Sequence, residues 1–181
     1  MSWSETIREH QDVLAKCEPL SLKINDISRV IKKTLDRGSR VVLCGNGGSF
    51  AQAQHFAAEL VVRYKVANRP PFAAYVLGSN PAVTSAICND LNPVQIFSRE
   101  LAASWRCGDC LVALSTSGRS PNIIETIKQA GAMVTIGLTG KDGMALPVDY
   151  EFRVPSHDTA IIQQIHQIAI HAICDQVEMP E

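Results

Sequence analysis

The chain alternates between short, almost uninterrupted apolar runs and longer stretches in which apolar residues recur every three or four positions. The short runs are rich in β-branched residues and end in Gly, Ser or Thr, which is typical of buried strands. They predict five strands, at 39–45, 72–78, 110–115, 133–139 and, with a more polar composition, 149–154. The helical periodicity predicts helices at 50–65, 81–88, 93–104, 121–130 and 158–178.

A further helical region precedes the first strand. Apolar positions within residues 4–37 predict two helices, and Glu18-Pro19 predicts the break between them. Strands that alternate with helices predict βαβ units, and apolar strands predict a parallel sheet covered on both faces. We therefore predict an α/β fold in a single domain over 1–181, with N-terminal helices in 1–37 and a core in 38–178.

Composition narrows the class of protein. The 181 residues are 46% hydrophobic and 19% charged, as expected of a globular domain with a full core. A net charge of -1 argues against a nucleic-acid partner, and no apolar run is long enough for a membrane span. The polar N-terminus does not resemble a signal peptide, so we expect a cytoplasmic protein with reduced thiols. Cys107 and Cys110 form a C-x-x-C pair, but without a second pair a zinc or redox role is disfavoured.

Two loops that follow predicted strands carry small and hydroxylated residues. The first is GNGGS, Gly45–Ser49, and the second is STSGRSPN, Ser115–Asn122. Glycine lets a ligand approach the backbone, and the helix that follows each loop adds free N–H groups and a partial positive charge. The hydroxyl groups could instead only cap these helices, but two such loops at strand ends favour a shared anion site. Neither loop matches the ATP-binding or dinucleotide-binding glycine motifs.

Two helices present possible metal or acid–base groups. His55 and Glu59 lie one turn apart and share a helix face. In the last helix, Gln163, Gln167 and His171 recur every four residues. Two imidazoles, a carboxylate and an amide oxygen could hold zinc, although from spacing alone a packed histidine on each helix is the simpler interpretation.

These motifs together resemble a known family. CGNGGSFAQAQHFAAEL, NDLNPVQIFSRE, GDCLVALSTSGRSPN and IGLTGKDG are similar to the phosphosugar-binding SIS family. VPSHDTAIIQQIHQIAIH resembles its phosphoheptose isomerase branch, and the similarity covers about residues 38–178. The resemblance implies a three-layer, flavodoxin-like SIS fold with a five-stranded parallel sheet and an N-terminal helical extension. It also implies conversion of sedoheptulose 7-phosphate to glycero-manno-heptose 7-phosphate, a precursor of nucleotide-heptoses, in cytoplasmic homotetramers with active sites at subunit interfaces.

The resemblance assigns roles to individual residues. One zinc ion per active site would be bound by His55, Glu59, Gln163 and His171. Glu59 would be the catalytic base and His171 the acid/base partner. The phosphate and sugar contacts would come from the backbone or side chains of Asn46, Gly47, Gly48, Ser49, Arg63, Asn89, Asp90, Ser115, Thr116, Ser117 and Ser120.

Some positions depart from the family pattern. Arg119 stands where Asn is usual, and Asn80 stands where the family often has Asp. These departures surround the predicted pocket and affect the choice of sugar rather than the acid–base set. The alternatives are a non-catalytic SIS protein that binds a phosphosugar or the replication initiator, and an isomerase for another phosphosugar. Glu59 and His171 favour an enzyme.

Overall fold

A parallel sheet of five strands organises the fold, which a computed structural model describes over residues 2–179. The strands are β1 Val41–Gly45, β2 Ala74–Val76, β3 Cys110–Ser115, β4 Val134–Thr139 and β5 Tyr150–Arg153. The helices are α1 Trp3–Cys17, α2 Ser21–Asp36, α3 Gly48–Val61, α4 Pro81–Asp90, α5 Ser98–Ser104, α6 Pro121–Gln129 and α7 Thr159–Glu178. Short 3₁₀ turns occupy Glu18–Leu20 and Pro93–Gln95.

The strand order is β2-β1-β3-β4-β5, and every neighbouring pair is parallel. The chain therefore moves outward from β1 to β2 and then returns across β1 to form β3. This reversal creates a switch point between β1 and β3, where the two following loops can splay apart to admit a ligand. The predicted flavodoxin-like α/β fold is confirmed.

Helices cover both faces of the sheet because consecutive strand residues point to opposite sides. In β1, Val41 and Leu43 join a core formed with α2, α3 and α7, whereas Val42 and Cys44 join a core formed with α5 and α6. All five β1 positions are buried, which explains its uninterrupted apolar run. The three layers leave the carboxyl edge of the sheet open for the site.

The N-terminal helices form the predicted extension, with a 3₁₀ turn at the predicted break. Both α1 and α2 pack against α7. Within residues 2–179, no helix combines the length and apolarity needed to cross a membrane.

Two of the predicted helices differ from the structure for clear physical reasons. The predicted helix 93–104 is divided, because Asn92 caps a one-turn 3₁₀ segment and α5 begins only at Ser98. The predicted helix 50–65 ends at Val61. The N–H groups of Tyr64, Lys65 and Val66 bond to the Glu178 carboxylate of α7 instead of to helix carbonyls.

Candidate functional site

The two glycine- and serine-rich loops lie side by side, because β1 and β3 are neighbours in the sheet. A direct link joins them. Asn46 Nδ2 donates to Asn122 Oδ1 at 2.9 Å, and Asn122 Nδ2 donates back to Asn46 Oδ1 at 2.8 Å. The structure therefore brings the predicted anion loops into one cradle, and Asn122, which the sequence analysis did not single out, connects them.

The first loop turns sharply into α3. Gly47 takes a positive φ of 53° and precedes the first helical residue, and no side chain caps this helix end. Ser49 is 4% exposed, and its Oγ is 3.4 Å from the Nε2 of Gln163. The N–H groups of Ser49 and Phe50 donate to the Asn46 carbonyl, so Gly47 and Gly48 at the start of α3 are the backbone positions best suited, together with the Ser49 hydroxyl, to a phosphate.

The second loop is held mainly by its own hydroxyl groups. The N–H of Gly118 donates to Ser115 Oγ at 3.1 Å, and the N–H of Arg119 donates to Ser117 Oγ at 3.2 Å. Ser115 Oγ also lies 3.5 Å from Ser120 Oγ, at the N-cap of α6. These bonds leave the hydroxyl hydrogens of Ser115 and Ser117 free to turn toward an anion.

Thr116 lies on the other side of this loop, where its Oγ1 is 3.5 Å from Oγ1 of Thr159 in the first turn of α7. The start of α7 is capped by Asp158, whose carboxylate accepts the N–H groups of Ala160 and Ile161. The second loop therefore contacts the helix that carries two of the predicted zinc ligands, Gln163 and His171.

Three of the predicted zinc and acid–base residues meet between α3 and α7. His55 Nε2 lies 3.0 Å from His171 Nε2 and 3.4 Å from Glu59 Oε1. The two residues on α3 are brought against a residue more than a hundred positions later. The arrangement of two packed but unrelated histidines, which spacing alone favoured, does not describe this contact.

The amides of α7 extend the cluster toward the phosphate cradle. Gln167 Nε2 lies 3.1 Å from His171 Nε2, while Gln163 points toward Ser49 at the start of α3. Gln52 donates to the Gln163 carbonyl at 2.6 Å, and its own buried Oε1 has no partner among the described residues. Gln163 thus contacts the start of α3, whereas Gln167 is the amide that contacts the histidine pair.

The donor chemistry of this cluster fits a zinc ion. Zn–N bonds of about 2.0–2.1 Å place two nitrogens of a tetrahedral site roughly 3.3 Å apart, close to the observed separation of the His55 and His171 nitrogens. The Glu59 carboxylate lies beside one of them. Among residues 2–179, no group of three or more His, Cys, Asp or Glu side chains is arranged to hold a metal ion, and the Gln163 amide forms no hydrogen bond to His55, Glu59 or His171, so the four-ligand zinc site remains a prediction.

Three predicted substrate contacts are not drawn into this cluster. Arg63 is exposed just beyond the end of α3, and within the described part of the chain it forms no hydrogen bond or ion pair. Asn89 and Asp90 are exposed at the end of α4, where Asn89 Nδ2 donates to Asp90 Oδ1 at 2.6 Å. Their sugar-binding roles remain predictions.

The two departures from the family pattern have different structural settings. Asn80 caps α4, with its Oδ1 accepting the N–H of Ala82 at 3.0 Å. Arg119 is exposed beside the second loop and reaches toward Asp142 at 3.5 Å. Asn80 thus stabilises the start of α4, whereas Arg119 adds a cation at the rim of the cradle.

Comparison with known proteins places this geometry in context. Residues 5–140 match the SIS domain family. The chain is 40% identical to a phosphoheptose isomerase of Shewanella denitrificans, with 98% of this chain and 92% of the relative aligned. It is also 40% identical to a phosphoheptose isomerase of Shewanella frigidimarina, over 98% of this chain and 91% of the relative.

The chain is also similar to solved structures of phosphoheptose isomerases. The phosphoheptose isomerase of Neisseria gonorrhoeae superposes with a TM-score of 0.88 at 35% identity, covering 97% of both chains. The enzyme from Francisella tularensis gives 0.87 at 32% identity, covering 98% of this chain and 99% of the other.

Proposed function

The chain belongs to the phosphoheptose isomerase branch of the SIS family, and from that membership we propose that it converts D-sedoheptulose 7-phosphate to D-glycero-D-manno-heptose 7-phosphate. The observation that carries the proposal is the convergence of Glu59, His55 and His171 beside a hydroxyl-lined anion cradle. An aldose–ketose isomerase needs both a phosphate grip and a proton-transfer group. The product would enter nucleotide-heptose synthesis for lipopolysaccharide or capsule.

The cradle would hold the phosphate at one end of the sugar. The uncapped start of α3 supplies N–H groups, and Ser49, Ser115, Ser117 and Ser120 supply hydroxyl groups. Contacts far from the reacting carbons orient the substrate and lower the entropic part of the barrier. Chain length alone then sets the distance from the phosphate to the carbonyl carbon.

The reaction transfers one proton between adjacent carbons. In the ketose-to-aldose direction, Glu59 takes a proton from C1, the electrons form an enediol with C2, and Glu59 returns a proton to C2. His171 moves the proton between the two oxygens, giving it to the C2 oxygen and removing it from the C1 hydroxyl. No atom is gained or lost, as isomerisation requires.

We propose that His55, Glu59, Gln163 and His171 hold one zinc ion in each active site. Two imidazole nitrogens, a carboxylate and an amide oxygen are an acceptable zinc set, and His55 already lies within 3.4 Å of both other ionisable partners. Bound there, zinc would polarise the sugar carbonyl. Glu59 and His171 would still perform the proton transfers themselves.

We further propose a cytoplasmic homotetramer. A groove of about 520 Å³ between α1 and α7 is lined mainly by apolar atoms, with Leu14 and Ile168 partly exposed in it. Trp3 and Ile7, also on α1, are exposed. An apolar surface of this kind supports burial against other copies of the chain, and active sites near such interfaces could draw residues from two subunits. Six unpaired cysteines suit a reducing compartment.

The decisive experiment is direct turnover. Purified protein with added zinc is incubated with sedoheptulose 7-phosphate, and the aldoheptose phosphate is followed by NMR. We expect product, and expect the rate to fall after chelation and return when zinc is restored. A zinc-supplemented protein that binds the sugar phosphate without forming aldose would instead support the non-catalytic SIS alternative.

Substrate choice is tested in the same assay. Fructose 6-phosphate, a shorter ketose phosphate, is offered at equal concentration. We expect kcat/KM to be much lower for it, because the shorter chain cannot span from the cradle to Glu59. A preference for the shorter sugar would favour an isomerase for another phosphosugar.

A further inference from the structure

The segment between α3 and β2, residues 62–73, carries contacts that the proposed reaction does not yet explain. Its Tyr64 ring stacks on the imidazole of His171, with centroids 5.4 Å apart and planes inclined by 26°. A second neighbour of the His171 ring is His55, whose ring centroid lies 5.2 Å away. The His171 ring therefore contacts both the Tyr64 ring and the imidazole of His55.

The backbone at Tyr64 is fixed by the end of α7. Glu178 Oε1 accepts the Tyr64 N–H at 2.6 Å, and Oε2 accepts those of Lys65 at 2.7 Å and Val66 at 2.9 Å. Burial by itself would raise the pKa of Glu178, but these bonds and Arg69 lower it to about 2. The carboxylate is thus ionised, and it binds the segment at three successive residues.

Arg69 connects this carboxylate to the other catalytic helix. Its Nε donates to Glu178 Oε1 at 2.6 Å, and its Nη2 donates to the backbone carbonyl of Glu59 at 2.6 Å. Both charged side chains are almost fully buried, at 6% and 3% exposed. The guanidinium also lies over the Phe72 ring, 4.3 Å from its centroid.

A third contact joins the segment to α7, in addition to the Tyr64–His171 stack and the bonds of Glu178. Lys65 Nζ is 2.8 Å from Asp175 Oδ1 and 5.1 Å from the centroid of the Tyr64 ring. His171, Asp175 and Glu178 are spaced four and three residues apart, so they share one face of α7. Each of these three side chains of α7 contacts the segment 62–73.

We propose that Tyr64 is a positioning residue that holds the His171 imidazole toward His55 and Glu59, and that Glu178 with Arg69 fixes Tyr64 in that place. The role in turnover rests on the proposed isomerase function, whereas the ordering of the ring does not. A phenyl ring is sufficient for the stack, since no hydrogen bond of the Tyr64 hydroxyl exists among residues 2–179. A misplacement of about 1 Å at a proton-transfer group can lower the rate by up to about 100-fold.

The first test compares Tyr64→Leu with Tyr64→Phe. We expect Tyr64→Leu to lower kcat by roughly 10- to 100-fold with KM changed less than about twofold, because the phosphate grip is untouched. Tyr64→Phe should retain kcat within about twofold. Tyr150→Leu, the same change at a half-buried tyrosine of β5, controls for general loss of packing and should keep kcat. Equal activity in Tyr64→Leu and wild type overturns the proposal.

The second test measures the ring without requiring turnover. Side-chain ¹³C relaxation of the histidines, assigned with a His171→Asn variant, reports how ordered each imidazole is. We expect the His171 ring to become more mobile in Tyr64→Leu, toward the behaviour of the exposed His157, and to remain ordered in Tyr64→Phe. An unchanged His171 order parameter overturns the proposal even in a protein that does not isomerise sedoheptulose 7-phosphate.

A double-mutant cycle tests the connection through Glu178. If Glu178 acts on His171 through Tyr64, the Glu178→Gln and Tyr64→Leu effects on kcat should not multiply, and the double variant should resemble the more impaired single variant. Fully multiplicative effects contradict this route. Thermal unfolding of each variant identifies any that fail to fold, and Tyr64→Leu then decides alone.

Discussion

At the scale of single residues, the role of Glu59 as catalytic base gives the most direct test of the proposed mechanism. Its carboxylate lies 3.4 Å from His55 Nε2 and is 21% exposed, so a substrate can reach it. Glu59→Gln keeps the shape but cannot accept a carbon-bound proton, and we expect kcat to fall at least about 100-fold. The assay is aldoheptose formation with zinc present.

A matched control exists for this variant. Glu125→Gln changes a half-exposed carboxylate of α6, whose ion pair among residues 2–179 is with Lys128 at 3.8 Å, and should leave kcat unchanged. Both variants should unfold at the wild-type temperature. Substantial turnover by Glu59→Gln would remove Glu59 from the role of base.

Gly47 and Gly48 of the first loop disfavour a side chain for different reasons. At Gly48 the reason is a close contact, and at Gly47 it is the backbone conformation. A Cβ at Gly48 would lie 2.7 Å from Gln163 Nε2 and 2.8 Å from Oε1, whereas one at Gly47 meets nothing within 4 Å. Gly48→Ala should therefore displace Gln163 and lower kcat/KM roughly 10-fold, with little change in stability. Zinc titration and steady-state kinetics measure this effect.

Gly47→Ala is the complementary variant, because Gly47 has φ 53° and ψ -119°, a combination outside the left-handed helical region that costs an L-residue on the order of 1–3 kcal/mol. It should lower the free energy of unfolding more than Gly48→Ala does. If the two variants show the reverse ranking, the assigned contact between Gly48 and Gln163 is wrong.

At the scale of elements, α7 supplies Gln163 and His171, and the cap at its N-terminus should contribute to the stability of the fold. Asp158 Oδ1 accepts the N–H of Ala160 at 2.8 Å and that of Ile161 at 3.2 Å. Asp158→Ala should lower the free energy of unfolding by about 1 kcal/mol, and the melting temperature by roughly 2–4 °C. Asp158→Asn keeps an acceptor and serves as the control. Equal stability of wild type and Asp158→Ala would show that this cap contributes nothing.

The element scale also explains the one divided helix. Periodicity alone joined 93–104, since apolar spacing does not distinguish a 3₁₀ turn followed by an α-helix from one continuous helix. The side-chain cap from Asn92 was available in the sequence as a local signal, and it marks the true start of the 3₁₀ turn.

At the scale of the whole molecule, two buried groups predict acid sensitivity. Burial lowers the pKa of His166 from 6.5 to about 4, even though its Nε2 donates to the Thr139 carbonyl. The unfolded chain binds this proton near pH 6.5 and the folded chain does not, so stability falls as the pH drops from 6.5 to 4. The loss approaches about 3 kcal/mol.

His166→Gln removes this titration and should flatten the decline between pH 6.5 and 4 in denaturant-unfolding experiments. A separate decline below pH 4.5 should remain, because Glu178, with its pKa of about 2, loses its stabilising contribution as it is protonated. An unaltered slope in the upper range would contradict the assignment to His166.

Assembly belongs to the same scale. Ile168 is 49% exposed and lines the apolar groove between α1 and α7. Ile168→Glu should shift the sedimentation of the protein from a tetramer toward smaller species, because a buried unpaired charge opposes association. Val134→Glu introduces the same charge at an exposed position at the start of β4 and should leave the assembly unchanged. A wild-type monomer would refute the proposed tetramer.

How much of the structure could be predicted from the sequence depends on how local each sequence pattern is. Alternating apolar runs specified the parallel sheet and its covering helices, because burial on two faces leaves a local pattern. The GNGGS and STSGRSPN motifs indicated an anion site, because glycine and helix starts act locally. Family resemblance, rather than spacing, assigned the zinc ligands and the base, and those roles stay predictions.

By itself, the sequence determined the α/β class, the five strands, the two loops and the family. Only the tertiary structure decided that His55 meets His171, that Asn122 joins the loops, and that Tyr64 packs on His171 under the hold of Glu178. These contacts link residues far apart in the chain. Their formation depends on how α3 and α7 pack, and no short stretch of sequence records that packing.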